Sequence, residues 1–297
     1  MTGLGRRVKD QELWVESDGT SLRLVAYEGP GAGGPSVVAL HGLVTGVDVL
    51  RGAVSGLDPY ARLAAEGLNV LALDWPGHGR SGGRRGHLTY RNAMAAAAAA
   101  VGCARERWEG SVGLFGTAFG GVLAFYAALE STGVGAVACH NVLDLRDVRP
   151  VLQRHRQGAL LPAAAALRRR LSPERQAAIT LPATAVVATA DLADDPDLAR
   201  VLRTHPQSVR RYTLAGLGSI LLTPEDKPDV SAQAVPTFVA IGSNDRVLPE
   251  TPTRAFASRL AVESELWVLP GGGHQMMLEH PGALLPAAAG FLRRHLT

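Results

Sequence analysis

The stretch Ser111-Val-Gly-Leu-Phe-Gly116-Thr-Ala118-Phe-Gly120-Gly121 decides the fold. Its first five residues form an apolar run of strand length, and the glycines that follow turn the chain tightly into a helix. The glycines on either side of residue 118 have a steric reason. Where a strand turns sharply into a helix the two backbones cross closely and the apical residue is strained, which leaves no room for flanking side chains. The spacing is the G-x-S-x-G pattern of a nucleophile elbow, with alanine where the pattern has serine.

Working outward, apolar runs of the same kind recur at 36–40, 69–73, 135–139, 237–241 and 265–269, with segments of helical length such as 90–108 and 120–131 between them. Short, fully apolar strands alternating with helices predict an α/β fold: a mostly parallel central sheet flanked by helices on both faces. Ahead of it, 11–16 and 21–28 are joined across Asp18-Gly19, a hairpin dipeptide. The alanine run 93–100 suits a helix packed closely on a sheet. From about 145 to 230 the alternation stops. Stretches rich in Ala, Leu and Arg, punctuated by Pro150, Pro162, Pro173, Pro182, Pro196 and Pro206, read there as short helices. The expected organisation is a core domain of residues 1–144 and 231–297, with a helical lid inserted at 145–230.

Composition excludes several function classes. The 297 residues are 46% hydrophobic with a net charge of only +3, so no single-sign field attracts nucleic acid. Aromatic residues are sparse and form no stripe with basic ones. Glycine-rich segments such as 271–273 lack the lysine and serine of a phosphate-binding loop. Cys103 and Cys139 lie far apart, without a CxxC pair or histidines at ligand spacing, so neither metal, cofactor nor disulfide is expected and both thiols read as buried. The start, 1–11, is polar without an apolar leader, and no apolar run reaches bilayer length, so a cytoplasmic location is expected. Arg168-Arg169-Arg170 reads as a solvated helix face rather than a membrane contact.

Two later segments carry further chemistry. Val235-Pro-Thr-Phe-Val-Ala-Ile-Gly-Ser-Asn-Asp245-Arg-Val-Leu-Pro249 is an apolar strand ending in a turn that presents an aspartate, and Leu269-Pro-Gly-Gly-Gly-His274 sets a histidine on a flexible loop after the last strand. With His41-Gly42, with Asp74-Trp-Pro-Gly-His-Gly-Arg-Ser81-Gly-Gly-Arg-Arg-Gly-His87 and with the elbow, they make the chain from residue 36 onward resemble the serine-hydrolase branch of the α/β-hydrolase family, nearest to monoacylglycerol lipases and lysophospholipases. The lid is matched only in character. The resemblance implies Asp245 as the triad acid, ahead of Asn244 and Asp226. It implies His274 as the general base, in the chain order elbow, Asp, His. The backbone N–H groups of Leu43 and Phe119 would then hold the oxyanion. His41 and His78 fall in family turns as structural hydrogen-bonders, and His140, after a strand, is a candidate to line the pocket. His87, His155, His205, His280 and His295 read as surface residues.

A methyl group cannot attack a carbonyl, so Ala118 forms no acyl-enzyme. Three accounts of it compete: a serine enzyme deliberately changed to alanine so that substrate is held unreacted, a natural protein without serine chemistry, or Thr117 as substitute nucleophile. The first leads. Thr117 is one residue out of register, and neighbouring side chains at a strand end point in opposite directions. Leu160, Leu161, Leu167, Leu214, Leu217, Ile220, Leu221 and Leu222 give the lid an apolar character, and Leu214 and Leu217 join His140 as candidate substrate contacts. The expected function is hydrolysis of a small-molecule carboxylic ester or thioester with a hydrophobic acyl group, silenced here at Ala118. The alternatives are ligand binding, base catalysis by His274 and Asp245 without a covalent step, or acyl transfer.

Overall fold

The computed structural model of the chain describes residues 10–30, 34–152, 161–185, 187 and 189–296. His155, Leu160 and the side chain of Leu161 lie outside the described set.

The chain opens with β1 (Asp10–Ser17) and β2 (Thr20–Tyr27), antiparallel with Ser17 opposite Thr20. Asp18 and Gly19 between them have φ of 47° and 71°, the paired positive values that match the twist of a two-residue hairpin. The strands that follow are β3 (Ser36–Leu40), β4 (Asn69–Leu73), β5 (Val112–Thr117), β6 (Val134–His140), β7 (Thr180–Pro182), β8 (Arg211–Thr213), β9 (Thr237–Gly242) and β10 (Ser264–Leu269). Eight of the ten form one sheet in the order β1-β2-β4-β3-β5-β6-β9-β10. It is antiparallel through β1, β2 and β4 and parallel from β4 onward. Every residue of β3, β4, β5 and β9 is buried, which is why their sequences run apolar without alternation.

The helix Tyr90–Arg107 lies against β1, β3, β4 and β5 and buries Ala93, Ala96, Ala97, Ala100 and Ala104, so its small side chains serve close packing. Thr89 starts it with a capping box: its hydroxyl accepts from Asn92 N at 3.1 Å while Asn92 Oδ1 accepts from Thr89 N at 2.7 Å. The helix Pro281–His295 packs on β6 and β9.

β3 lies between β4, the next strand in sequence, and β5, the one after that, so the winding direction of the sheet reverses there. Crevices at such a reversal, beyond the carboxyl ends of the strands, are where α/β sheets bind ligands. His41-Gly42 follows β3, Ala118 follows β5, Asp245 follows β9 and His274 follows β10, all at that one end.

Between β6 and β9 the described chain adds no strand to the main sheet. Pro173–Ala178, Pro196–Thr204 and Leu214–Leu221 are short helices capped by the side chains of Ser172, Asp195 and Thr213. No sequence pattern announces β7 and β8, which pair antiparallel in a sheet of their own. Three residues apiece are too few for a periodicity. The pair is tied to core loops instead, by Thr213 N to Gly86 O at 3.1 Å and Val209 N, just ahead of β8, to Val44 O at 2.9 Å.

One charged cluster is sealed inside the carboxyl end of the sheet. Asp74, after β4, has a side chain with no exposed surface; its Oδ1 accepts from Val47 N at 2.8 Å and its Oδ2 from Arg80 N and Arg23 Nη1, each at 3.1 Å. Burial raises the Asp74 carboxyl above its ordinary pKa even though these donors pull it down. Arg23 also reaches Glu12 at 2.8 Å and Asp48 at 3.1 Å. A buried ion pair that loses one partner leaves an uncompensated charge, so Arg23→Met is expected to cost about 3–5 kcal/mol in urea unfolding at neutral pH. Glu12→Gln, at the exposed side of the cluster, is expected to cost about 1 kcal/mol or less. Equal losses for the two would show that burial of the Arg23–Asp74 pair is not what matters.

Candidate active site

Ala118 joins β5 to the helix Phe119–Glu130 with φ 52° and ψ −128°, a conformation that side chains strongly disfavour. Crowding maintains it. A Cβ on Gly116 would lie 2.1 Å from Gly120 O, one on Gly120 2.2 Å from Leu40 O, and one on Gly121 2.4 Å from Asn141 O. The loop after β3 is just as close, since a Cβ on Gly42 would stand 3.1 Å from the Ala118 methyl and 3.6 Å from Phe119 N.

His274 Nδ1 lies 2.9 Å from Asp245 Oδ2. Oδ2 also accepts from Asn141 Nδ2 at 2.8 Å, and Oδ1 accepts from Val247 N and Leu248 N, both at 2.8 Å. Burial by itself would raise the Asp245 carboxyl, but His274 and the backbone N–H groups of Leu248 and Val247 outweigh it and hold the group below the usual carboxylate range. An ionised Asp245 calls for the proton on Nδ1 of His274, which leaves Nε2 with its lone pair free to act as a base.

Beside Ala118 is a mainly apolar cavity of about 70 Å³. Gly42, Leu43, Thr117, Ala118, Phe119 and His274 line its reacting side, and Leu143, Val187, Leu192, Leu221, Val247 and Leu248 form most of its walls. The N–H groups in the first turn of a helix are left unpaired by the helix itself and carry its positive end, which suits Phe119 N to a developing oxyanion. The Leu43 loop is held from the insertion: the Tyr212 hydroxyl donates to Leu43 O and lies 2.9 Å from His78 Nε2.

Three expected substrate contacts fall elsewhere. His140 is buried behind the elbow with Nδ1 2.9 Å from Thr117 Oγ1, and it does not line the cavity. That pairing also occupies the Thr117 hydroxyl. Leu214 and Leu217 are buried two turns and one turn back along their helix, of which only Leu221, in the last turn, reaches the cavity. His41 and His78 are buried hydrogen-bonders, with Nδ1 atoms 2.8 Å from Gly42 O and 3.0 Å from Pro76 O. His87, expected at the surface, is half-buried with Nδ1 2.9 Å from Thr213 Oγ1.

Sequence reasoning missed Asn141 and Tyr212. The signal for Asn141 was a lone asparagine directly after a buried strand; its φ of 74° is a left-handed value that asparagine tolerates better than most residues. It also missed a set of contacts that ties residues 191–195 to the loops that carry Asp245 and His274. Arg246, next to Asp245, pairs with Asp191 and Asp194, each at 3.4 Å, and Glu279 accepts from Asp194 N at 2.8 Å and Asp195 N at 2.9 Å. Among the described residues no group of three or more His, Cys, Asp or Glu side chains is placed to hold a metal ion, and no helix is long and apolar enough to cross a membrane.

A family model described as serine aminopeptidase, S33, matches residues 36–281. Among solved structures, the monoacylglycerol lipase of Paleococcus ferrophilus is similar with a TM-score of 0.67 at 19% identity, over 91% of this chain and 99% of that one. A hypothetical protein from Pseudomonas aeruginosa gives 0.74 at 17%, over 99% and 96%. A thermophilic esterase from Thermogutta terrifontis gives 0.62 at 20%, over 97% and 100%. At these identities the likeness speaks for the fold, which is the α/β-hydrolase fold. No curated protein matches the chain in sequence.

The buried histidines make stability depend on pH. Burial lowers His41 to about 4 and His78 and His140 to about 3, with the nearby His41 adding to the effect on His78 and His274 to that on His140. The unfolded chain therefore binds protons below about pH 6.5 that the folded chain refuses, and stability falls as pH drops from there toward the folded values. Asp245, whose pKa is depressed, works in a lower window: its contribution is present above the ordinary carboxylate pKa and is lost only as pH falls through its lowered one. Urea unfolding between pH 7 and 5 should show the loss, and His140→Gln should flatten it by about 1 kcal/mol per pH unit averaged over that window. An unchanged slope would mean that His140 accepts its proton in the folded state.

Proposed function

The chain belongs to the serine aminopeptidase S33 family, and from that premise we propose that its site is built for Ser-His-Asp hydrolysis of a carboxylic ester or thioester with a hydrophobic acyl group. With Ala118 in the nucleophile position, it binds such a substrate without cleaving it. One observation carries the reading: the strained elbow at Ala118, Leu43, Phe119 and a histidine hydrogen-bonded to a buried carboxylate all line one apolar cavity, which supports the N–H groups of Leu43 and Phe119 as its oxyanion donors. An ester is favoured over a peptide with a free amino terminus because the described residues that line the cavity include no carboxylate to receive an ammonium group.

With serine at 118 the steps follow from the geometry. His274 Nε2 takes the hydroxyl proton as oxygen attacks the carbonyl carbon, and the oxyanion falls to the N–H groups of Leu43 and Phe119. The intermediate expels the alkoxide or thiolate, which takes the proton from His274 and leaves an acyl-enzyme. The same histidine then activates a water to release the acid, while Asp245 holds its tautomer and offsets the imidazolium charge. Apart from the nucleophile's own hydroxyl and the attacking water, every donor in these steps belongs to the main chain or to His274, so a methyl at 118 removes one reactant and spares the rest.

Ala118→Ser is expected to hydrolyse short p-nitrophenyl esters and to be labelled at position 118 by a fluorophosphonate, whereas the Ala118 protein does neither. Asp245→Asn added to that variant should lower kcat about 10⁴-fold through the wrong histidine tautomer. A folded Ala118→Ser protein without turnover or label would overturn the hydrolase reading. That reading takes Ala118 as the replacement of a serine, so the natural gene should encode serine there. An alanine codon would move the assignment to a ligand-binding or non-covalent base-catalytic protein.

A further inference from the structure

The cavity at Ala118 is lined in part by Leu143, three residues past β6 and only 7% exposed. Leu143 also lines a second and larger space, a groove of about 510 Å³. The two spaces share one lining residue and draw on two common stretches of chain. Leu143 belongs to both, and on the facing stretch Val247 and Leu248 line the cavity while Thr251 and Pro252 line the groove.

The chemistry of the groove is hydrocarbon with a charged edge. Val142, Leu143, Pro150, Ala255 and Phe256 supply apolar surface. Its charged members are paired within the chain: Asp144 with Arg259 at 2.5 Å, Asp147 with Arg149 at 2.7 Å, and Arg259 also with Asp229 at 3.3 Å. Charges already matched in this way give a ligand ion little to gain, whereas the apolar surface rewards an aliphatic chain. The cavity at Ala118 is small by comparison and suits the carbonyl and first carbons of an acyl group.

We propose that this groove is a distal acyl subsite for the tail of a medium or long aliphatic chain, and that Leu143 is the partition that sets the acyl length the site accepts. The inference rests on the hydrolase reading. A chain with its carbonyl at Ala118 reaches the groove by moving one leucine side chain, and each methylene then buried strengthens its hold by roughly fourfold.

The test uses the Ala118→Ser protein with p-nitrophenyl acetate, butyrate, octanoate and dodecanoate. Ala255 is exposed, so Ala255→Trp fills the groove without disturbing the core. It should lower the dodecanoate-to-acetate ratio of kcat/KM about tenfold. Leu143→Ala should raise that ratio by a similar factor, and adding Ala255→Trp to it should cancel the gain. Ratios that move in neither variant would overturn the subsite while leaving the hydrolase reading intact. Binding of dodecanoate to the unaltered Ala118 protein, followed by calorimetry, gives a readout without catalysis. If Ala118→Ser is inert but Ala255→Trp weakens dodecanoate binding about tenfold, the hydrolase reading fails while the groove remains a binding site for an aliphatic chain.

Discussion

The close crossing of backbones at the elbow is the constraint on which the rest of the molecule depends. Gly116, Gly120 and Gly121 each face a carbonyl oxygen at a distance no Cβ tolerates, and those oxygens belong to the elbow helix itself, to β3 and to the residue after β6. Three adjacent strands and one helix are thereby brought together at residue 118. The apical φ of 52° is strained, and it persists because relaxing it would drive backbone into backbone. The hydroxyl of a serine plays no part in that packing, so an alanine occupies the same geometry.

Charge is handled in two ways at the same end of the sheet. Asp245 is saturated by two backbone N–H groups, an asparagine amide and the imidazole, and stays ionised in spite of burial. Asp74 shares its carboxylate among Arg23 and two backbone N–H groups, and there burial keeps the upper hand on its pKa. The first arrangement orients an imidazole. The second closes off the loops after β3 and β4, where Gly79 has φ of 48° and a Cβ in its place would stand 2.1 Å from Asp74 Oδ1.

Much of this was legible in the sequence, for identifiable reasons. The central strands are buried on both faces, so 36–40 and 69–73 had nothing to alternate and their limits could be read directly. The elbow glycines were legible because a sharp strand-to-helix turn demands them at fixed positions around its apex, although two of the three oxygens that crowd them come from β3 and from Asn141. Residues 180–182 and 211–213 were not, since their pairing spans a long stretch of chain and leaves no repeat in either segment. The same holds for the cavity wall. The aliphatic character of the insertion was evident, but which leucine of a helix meets the cavity depends on where that helix ends: Leu221 does, Leu214 and Leu217 do not. Asn141 escaped notice because its role exists only once β6 and β9 lie side by side.

The ties between residues 191–195 and the loops that carry Asp245 and His274 have an evolutionary consequence. Arg246 and Glu279, which grip the 191–195 segment, sit one residue from Asp245 and five from His274. Changes in that segment that reshape the cavity therefore pull on the loops after β9 and β10 that carry Asp245 and His274. Selectivity and reactivity are in this way inherited together along that edge. The wall formed by Leu143, after β6, is joined to Asp245 by another route, the amide of Asn141 two residues earlier, so it drifts only within what that hydrogen bond allows.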